Sequence, residues 1–324
     1  KISRLEQNVL TETKKYTLRR IPSSFYKKEN REFKRSVVNV MTGCNNYCTY
    51  CIVPFVRGRE KSFPSQSIIE RVRGDVALGA KEINLLGQNV NSYCCPETGI
   101  KFDELLKHIA IIEGDFWIRF ISPHPEDMSI GLLKVMADYK DKLCHWIHLP
   151  VQSGSDHILE LMNRQYTVSK FMKTVEEIRQ YLPGATISTD IIVGFPGETE
   201  ENYLESRKLM EEVEFDFIYS FIFSPRKHTK AATFTDSCSD EVKLNRLTDL
   251  QERQRDVSRS KNEKNIGKKM KVLVENIMKS GMLFSKTAEN IQVSIKSDDE
   301  SLVNQFVSVR IVDARATCMI GELL

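Results

Sequence analysis

The chain has 324 residues, of which 41% are hydrophobic and 28% charged, with a formal net charge of +3. This is the make-up of an ordinary soluble globular protein with room for two domains. No apolar stretch of about 18 residues is present to span a bilayer, and Lys1 to Arg20 lacks the apolar core of a secretory signal. A membrane protein is therefore not expected; a cytoplasmic monomer is. The mild charge means that nucleic-acid affinity, if any, must come from local clustering.

Residues 1–36 read as a basic lead-in, with eleven Lys and Arg against four Glu. A solvated linker and a phosphate-facing arm both remain open. From residue 37, β-rich runs alternate with amphipathic stretches. Strands are expected at Val37–Thr42, Glu82–Gly87, Trp117–Ser122, His145–Pro150, Thr186–Val193 and Asp216–Phe223. Helical spacing recurs at Ile68, Ile69, Val72 and Val76, at Phe102, Leu105, Leu106 and Ile109, and at Phe171, Val175 and Ile178. Six such units predict an α/β fold, a partial (β/α)6 barrel with a parallel sheet and crossover helices.

A polar, basic helix is expected over Asp240–Asn265. Five short strand-length windows follow: Lys271–Val274, Met282–Lys286, Ile291–Ile295, Phe306–Ile311 and Thr317–Ile320. They predict a small OB-like β-barrel. The expected domains are 1–36, 37–265 and 266–324.

Three of the eight cysteines, Cys44, Cys48 and Cys51, sit in one loop directly after the first strand. Thiolates are soft ligands that select iron–sulfur clusters, zinc or copper(I). No fourth cysteine follows nearby, so a cluster with one open iron suits the spacing better than a closed structural zinc site. The other unusual loops also fall at the carboxyl ends of strands, where parallel α/β sheets bind their ligands. His124, His145 and His148 lack paired carboxylate spacing and read as structural.

The strings GCNNYCTYC (Gly43–Cys51), VPFVRGR (Val53–Arg59), LLGQNVNSY (Leu85–Tyr93), HLPVQSGS (His148–Ser155) and DIIVGFPGETEE (Asp190–Glu201) resemble the radical S-adenosylmethionine (SAM) methylthiotransferases. Among these they are most similar to the MiaB-type tRNA 2-methylthio-N6-isopentenyladenosine synthases. The resemblance spans Val37 to Leu324 and makes the tail similar to a TRAM RNA-binding domain.

It implies that Cys44, Cys48 and Cys51 ligate a [4Fe–4S] cluster whose open iron chelates SAM. Tyr50 would lie near the adenine, and Gly87, Gln88 and Asn89 beside the methionine amino group. Gln152 and Ser153 would lie near SAM, Ile192 and Gly194 would border its adenine, and Asp190 would make a polar contact. The RNA would be the anticodon stem-loop of a tRNA. Arg57, in the turn after the cysteine loop on the active face, reads as a contact to it rather than as plain surface charge; Arg164, at a recurrent family position, and Arg226 are candidates for the same role, with a salt bridge as the alternative. A reducing donor such as flavodoxin or ferredoxin would supply the electron, and a 5′-deoxyadenosyl radical would take hydrogen from carbon 2 of the modified adenosine.

The family also carries an N-terminal domain with three further cysteines holding an auxiliary cluster. Residues 1–36 contain no cysteine, so methylthiolation by this chain alone is not expected. Methylthiolation of threonylcarbamoyl-adenosine in tRNA or of a ribosomal-protein aspartate, and a non-catalytic cluster-containing RNA-binding module, are the alternatives.

Overall fold

The computed structural model describes residues 35–236, 238–278 and 280–324. By contacts the chain divides into Lys1–Glu32 and Phe33–Leu324, and every described residue belongs to the second unit. The expected basic lead-in therefore lies outside the described residues, except for Arg35 and Ser36.

The elements in chain order are β1 (Arg35–Asn39), β2 (Met41–Thr42), α1 (Val53–Arg57), β3 (Lys61–Ser62), α2 (Ser65–Ala77) and β4 (Glu82–Leu86). Then come α3 (Phe102–Ala110), β5 (Trp117–Phe120), α4 (Ile130–Asp138), β6 (Trp146–His148), α5 (Asp156–Leu161) and α6 (Val168–Tyr181). They are followed by β7 (Thr186–Val193), α7 (Glu200–Val213), β8 (Phe217–Ile222) and the long α8 (Asp240–Glu263). Strands β1, β4 and β5 form one parallel sheet, and β6, β7 and β8 another. A single parallel bridge stitches the two together: Ile118 N–H donates to Lys142 O at 2.7 Å, and Cys144 N–H to Ile118 O at 3.0 Å. The result is the expected six-strand partial barrel, with an abbreviated seam at its middle.

The helices pack on the outer face. Ile147, Ile187, Ile191, Val193 and Ile218 join Val175, Ile178, Leu209 and Met210 in one core. Removing such surface from water is the main driving force for this packing. Each strand's alternate residues face the other way, and there a chain of contacts runs from Arg35 through Glu82, Arg119 and Trp146 to Ser188.

The expected strand Val37–Thr42 is broken. Val40 N–H still bonds Leu86 O at 2.9 Å, but residues 41–42 leave the parallel sheet and pair antiparallel with β3. The strands read at Glu82–Gly87, Trp117–Ser122, His145–Pro150 and Asp216–Phe223 are found one to three residues shorter, and Thr186–Val193 agrees at both ends.

The tail is a closed five-strand barrel in the order β10-β11-β13-β12-β9. Its strands are β9 (Lys269–Ile277), β10 (Leu283–Thr287), β11 (Gln292–Ile295), β12 (Phe306–Ala314) and β13 (Met319–Leu323). Val272, Val274, Leu283, Val293, Val309 and Met319 fill it. It docks at the amino ends of the parallel strands. Thr186 Oγ1 donates to Glu289 O at 2.6 Å, Arg119 donates to Thr287 O and Ala288 O at 3.2 and 3.1 Å, and Trp117 packs edge-on against Phe306. The small barrel thus closes one end of the parallel strands and leaves their carboxyl ends to the cysteine loop.

The basic helix α8 lies along β8, and much of its charge is internally satisfied. Arg246 pairs with Glu198 at 2.7 Å, Arg253 with Asp249 at 2.9 Å and Lys261 with Asp216 at 2.7 Å. Of the basic stripe read from sequence, Arg255, Arg259 and Lys264 stay exposed.

Glu82 is the keystone of the junction. Burial would raise its pKa, but the cations Arg119 and Arg35 and the Asn84 amide outweigh this and hold it below the ordinary carboxylate value. Glu82→Ala would strand Arg119, whose side chain is 4% exposed, and is expected to cost about 3 kcal/mol in urea unfolding. The depressed pKa fixes the pH dependence. The stabilisation is complete above the unfolded carboxylate pKa of about 4.3 and fades as pH falls through the folded value. Wild-type and variant stabilities should therefore converge in acid.

Candidate functional site

The cysteine loop begins where β2 leaves the sheet. Gly43 has φ +80°, and a Cβ there would lie 2.1 Å from Arg59 O. Gly43 N–H donates to Gln88 Oε1 at 2.7 Å and Cys44 N–H to Gly58 O at 3.2 Å. The other flank is held by the segment after α5. Thr49 Oγ1 donates to Leu161 O at 2.8 Å, Thr49 N–H to Met162 O at 3.0 Å, and Asn163 Nδ2 to Tyr47 O at 3.1 Å. Cys44, Cys48 and Cys51 are all free thiols and partly exposed. Burial pushes the Cys44 and Cys51 thiols up from their ordinary value.

Among the described residues no three His, Cys, Asp or Glu side chains converge on one ion-sized position. A cubane asks for a different arrangement, because each thiolate binds its own iron and the sulfurs stand apart. Three soft, unpaired thiols on one short clamped loop fit that group. Arg164 supports the fit: its Nη1 donates to Cys48 Sγ at 3.5 Å, placing a cation beside a ligand that must be anionic. Asn89 does so too. Its Nδ2 donates to Asp127 Oδ2 at 2.7 Å, which leaves a buried Oδ1 without a partner. An unfilled acceptor suits the ammonium group of a bound amino acid such as the methionine half of SAM.

The other residues singled out from sequence fall into three groups. Tyr50, Ile192 and Gly194 lie beside the loop. Tyr50 is half-buried and edge-on to Phe195 at 6.4 Å, in a cluster with Ile158, Met162, Ile192 and Phe223. Gly194 has φ +68°, and its N–H donates to Glu198 Oε2 at 2.6 Å. Gln152 is buried and extends the sheet: its N–H bonds Asp190 O at 2.8 Å, and Ile192 N–H bonds Gln152 O at 2.9 Å. Gly87 has no room for a Cβ, which would meet Met41 Cγ at 2.5 Å.

A second group points elsewhere than the resemblance implies. Ser153 is fully buried, and its Oγ lies 3.3 Å from Ser206 Oγ on α7, so its side chain faces a helix rather than the cysteines. Arg164 does not reach outward to RNA. Its Nη2 donates to Pro150 O and its Nε to Tyr166 OH, both at 2.9 Å, so it ties the β6 loop to Cys48. Tyr166 is the partner that sequence reasoning passed over; nothing in the local string Asn163-Arg164-Gln165-Tyr166 marks it.

The third group is exposed. Arg57, the last residue of α1, and Arg226, on the loop past β8, are exposed and make no ion pair among the described residues. Asp190 sits deeper, with Oδ1 3.5 Å from His148 Nε2. His124 is buried as read, and burial together with the Arg164 cation lowers its pKa to about 3, so it is neutral near pH 7.

The profile of the Radical SAM superfamily matches residues 38–210, more than half of the chain. The chain belongs to the radical SAM superfamily. The matched span runs from β1 into α7 and includes every cysteine of the loop. It is similar to proteins named tRNA-2-methylthio-N(6)-dimethylallyladenosine synthase. One from Caldicellulosiruptor saccharolyticus is 43% identical over 91% of this chain and 62% of its own length. One from Thermoanaerobacter sp. is 47% identical over 89% of this chain and 61% of its own length. The chain thus spans about 62% of the length of such relatives.

Among solved structures, the radical SAM methyltransferase TsrM from Kitasatospora setae aligns with TM-score 0.52 at 13% identity, over 61% of this chain and 39% of its own. Coproporphyrinogen III oxidase from Escherichia coli aligns with TM-score 0.50 at 14% identity, over 69% and 52%. At such identities the likeness concerns the fold alone, and it agrees with the partial barrel. No helix among the described residues is long and apolar enough to cross a membrane.

Proposed function

We propose that this radical SAM protein serves the methylthiolation of N6-isopentenyladenosine next to a tRNA anticodon, holding the [4Fe–4S] cluster and SAM that start the reaction. The observation that carries the reading is the clamped loop of Cys44, Cys48 and Cys51 at the carboxyl ends of the parallel strands. The similarity of nearly the whole chain to the named synthases supports the choice of substrate.

When bound, the cluster and SAM supply one-electron cleavage of SAM and hence a hydrogen-abstracting radical. The chain's own residues bind and orient. Cys44, Cys48 and Cys51 would hold the cluster, with the Arg164 guanidinium beside Cys48 Sγ. The buried, unpartnered Asn89 Oδ1 would accept from the methionyl ammonium. Tyr50, Ile192, Gly194 and the Gln152 backbone shape the wall for the adenine, with Gly87 and Gln88 setting the loop beside it. Arg57 and Arg226 meet RNA phosphates, and the tail from residue 266 to 324 is a TRAM-like RNA-binding domain. A flavodoxin- or ferredoxin-like donor supplies the electron.

Anaerobic reconstitution should load about four irons per chain, and chemical reduction with SAM should release 5′-deoxyadenosine. Mass spectrometry of tRNA from cells lacking the gene should show N6-isopentenyladenosine without its 2-methylthio group. Unchanged 2-methylthio nucleoside in that tRNA would overturn the substrate assignment. Absence of both iron and 5′-deoxyadenosine would overturn the cofactor assignment.

A further inference from the structure

The face of the partial barrel opposite the helices carries side chains that neither the core nor the cysteine loop uses. Strand β8 is an edge strand. Its alternate residues Phe217, Tyr219 and Phe221 are 42%, 41% and 51% exposed, while Ile218 between them is buried in the core. An exposed row of three aromatic rings is unusual for a surface meant only to meet water. Asp190 on β7 stands opposite Tyr219 in the register, so the two side chains share this face. Two residues further along β7 comes Ile192, already in the apolar cluster with Tyr50. Asp190 therefore sits about 7 Å below the layer that adjoins the cysteine loop.

Asp190 stands at the end of a chain of polar contacts that begins at Trp146. Trp146 Nε1–H can only donate, and it meets Ser188 Oγ at 2.8 Å. The Ser188 hydroxyl lies 3.0 Å from His148 Nδ1; in the tautomer where serine donates there, the imidazole proton sits on Nε2, which faces Asp190 Oδ1 at 3.5 Å. Tyr219 closes the other side, its ring 5.6 Å from that of His148 and nearly perpendicular. Asp190 Oδ1 is engaged, whereas Oδ2 makes no hydrogen bond among the described residues.

We propose that Asp190 Oδ2 is the acceptor that reads the exocyclic N–H of a flat nucleobase stacked on Tyr219 of the aromatic row of β8, with His148 as its positioning residue. A base lying on that ring would turn its edge, where the N–H donors are, towards the neighbouring strand β7 and Asp190, which is opposite Tyr219. A carboxylate is an acceptor only, so the edge it selects must donate. Stacking on aromatic side chains tolerates any base, so discrimination falls to the hydrogen bond. This inference rests on the tRNA reading above and deepens it, because it names what on the base is read: the secondary amine of an N6-alkylated adenine.

The test is binding by the cofactor-free chain, followed by fluorescence anisotropy, so turnover does not enter. Two labelled anticodon stem-loops are compared, one with N6-isopentenyladenine and one with N6-methyl-N6-isopentenyladenine, which lacks the N–H. The wild-type chain should bind the first about tenfold more tightly, as loss of a charge-assisted hydrogen bond allows. Asp190→Asn keeps the shape; its Oδ1 takes the His148 proton and turns the amide NH2 towards the base, so the preference should vanish. Tyr219→Leu should weaken both RNAs alike and keep their ratio.

Equal affinity of the wild-type chain for the two stem-loops, or a tenfold preference surviving in Asp190→Asn, overturns the inference while leaving the tRNA reading intact. Wild-type binding no tighter to either stem-loop than to an unrelated hairpin overturns both. Thermal melting of each variant shows whether it has folded, and Asp190→Ala with the same expected loss of preference replaces Asp190→Asn if that variant has not.

Discussion

Replacing Cys44, Cys48 or Cys51 singly by alanine is expected to cut iron content after anaerobic reconstitution at least tenfold, from about four atoms per chain. The melting temperature of the iron-free protein should hardly move. All three thiols are free and partly exposed on a loop, so truncation opens no buried cavity. The loop's backbone anchors to Gly58, Leu161 and Met162 also remain in place. Each thiolate would hold a different iron, so a cluster left with two thiolates would be lost to chelators and oxidation. Cys144 is the control. It is 3% exposed, and burial pushes its thiol up to about 12, which keeps it neutral and unfit to bind metal. Cys144→Ala should therefore keep full iron and lose about 1–2 kcal/mol of stability from the vacated space. Retention of iron by all three loop variants would refute the cluster assignment.

The contrast between Cys51 and Cys144 also shows what could be read without coordinates. Covalent spacing put the three loop cysteines together, and strand–helix alternation put that loop at the head of a parallel sheet, so the partial barrel and the place of its cysteine loop were visible in the chain. The five-strand tail was visible too, because short alternating runs separated by turn residues have few other solutions. What stayed hidden depends on side-chain direction.

Arg164 is one position in a polar string, and only the fold shows that it turns inward to Cys48 and Tyr166 rather than out to RNA. Ser153 sits one residue from Gln152, yet its hydroxyl faces α7, because the positive φ of Gln152, +73°, twists the chain there. Arg246 looked like part of a basic stripe. Its partners Glu198 and Glu200 lie 48 and 46 residues away in sequence, too far for any local pattern to reveal the ion pair. His148 was read as structural for want of a carboxylate at metal-ligand spacing, and its partner Asp190 arrives from the adjacent strand.

Gly43→Ala should be as damaging to the cluster as loss of a cysteine, although it removes no ligand. A Cβ at residue 43 would lie 2.1 Å from Arg59 O, 2.5 Å from Arg59 C and 2.6 Å from Gly58 O. These are backbone atoms with no rotamer to escape through, so either the β2–β3 pairing opens or the loop shifts. The pairing is short, only Met41 with Ser62 and Thr42 with Lys61, and yields first. With it go the Gly43 N–H bond to Gln88 Oε1 and the Cys44 N–H bond to Gly58 O, which set the start of the ligand loop. Gly58 provides the comparison, since it too has a positive φ, +75°, but a Cβ there meets nothing within 4 Å. Gly58→Ala should cost only backbone strain, on the order of 1–3 kcal/mol, because φ +75° with ψ −163° is a region that glycine alone adopts readily, and should retain most of its iron. Iron content measured beside thermal melting separates the two. Gly43→Ala should lose most of its iron while the core, built from other elements, still melts cooperatively; iron content equal to that of Gly58→Ala would show that the loop's entry does not govern cluster binding.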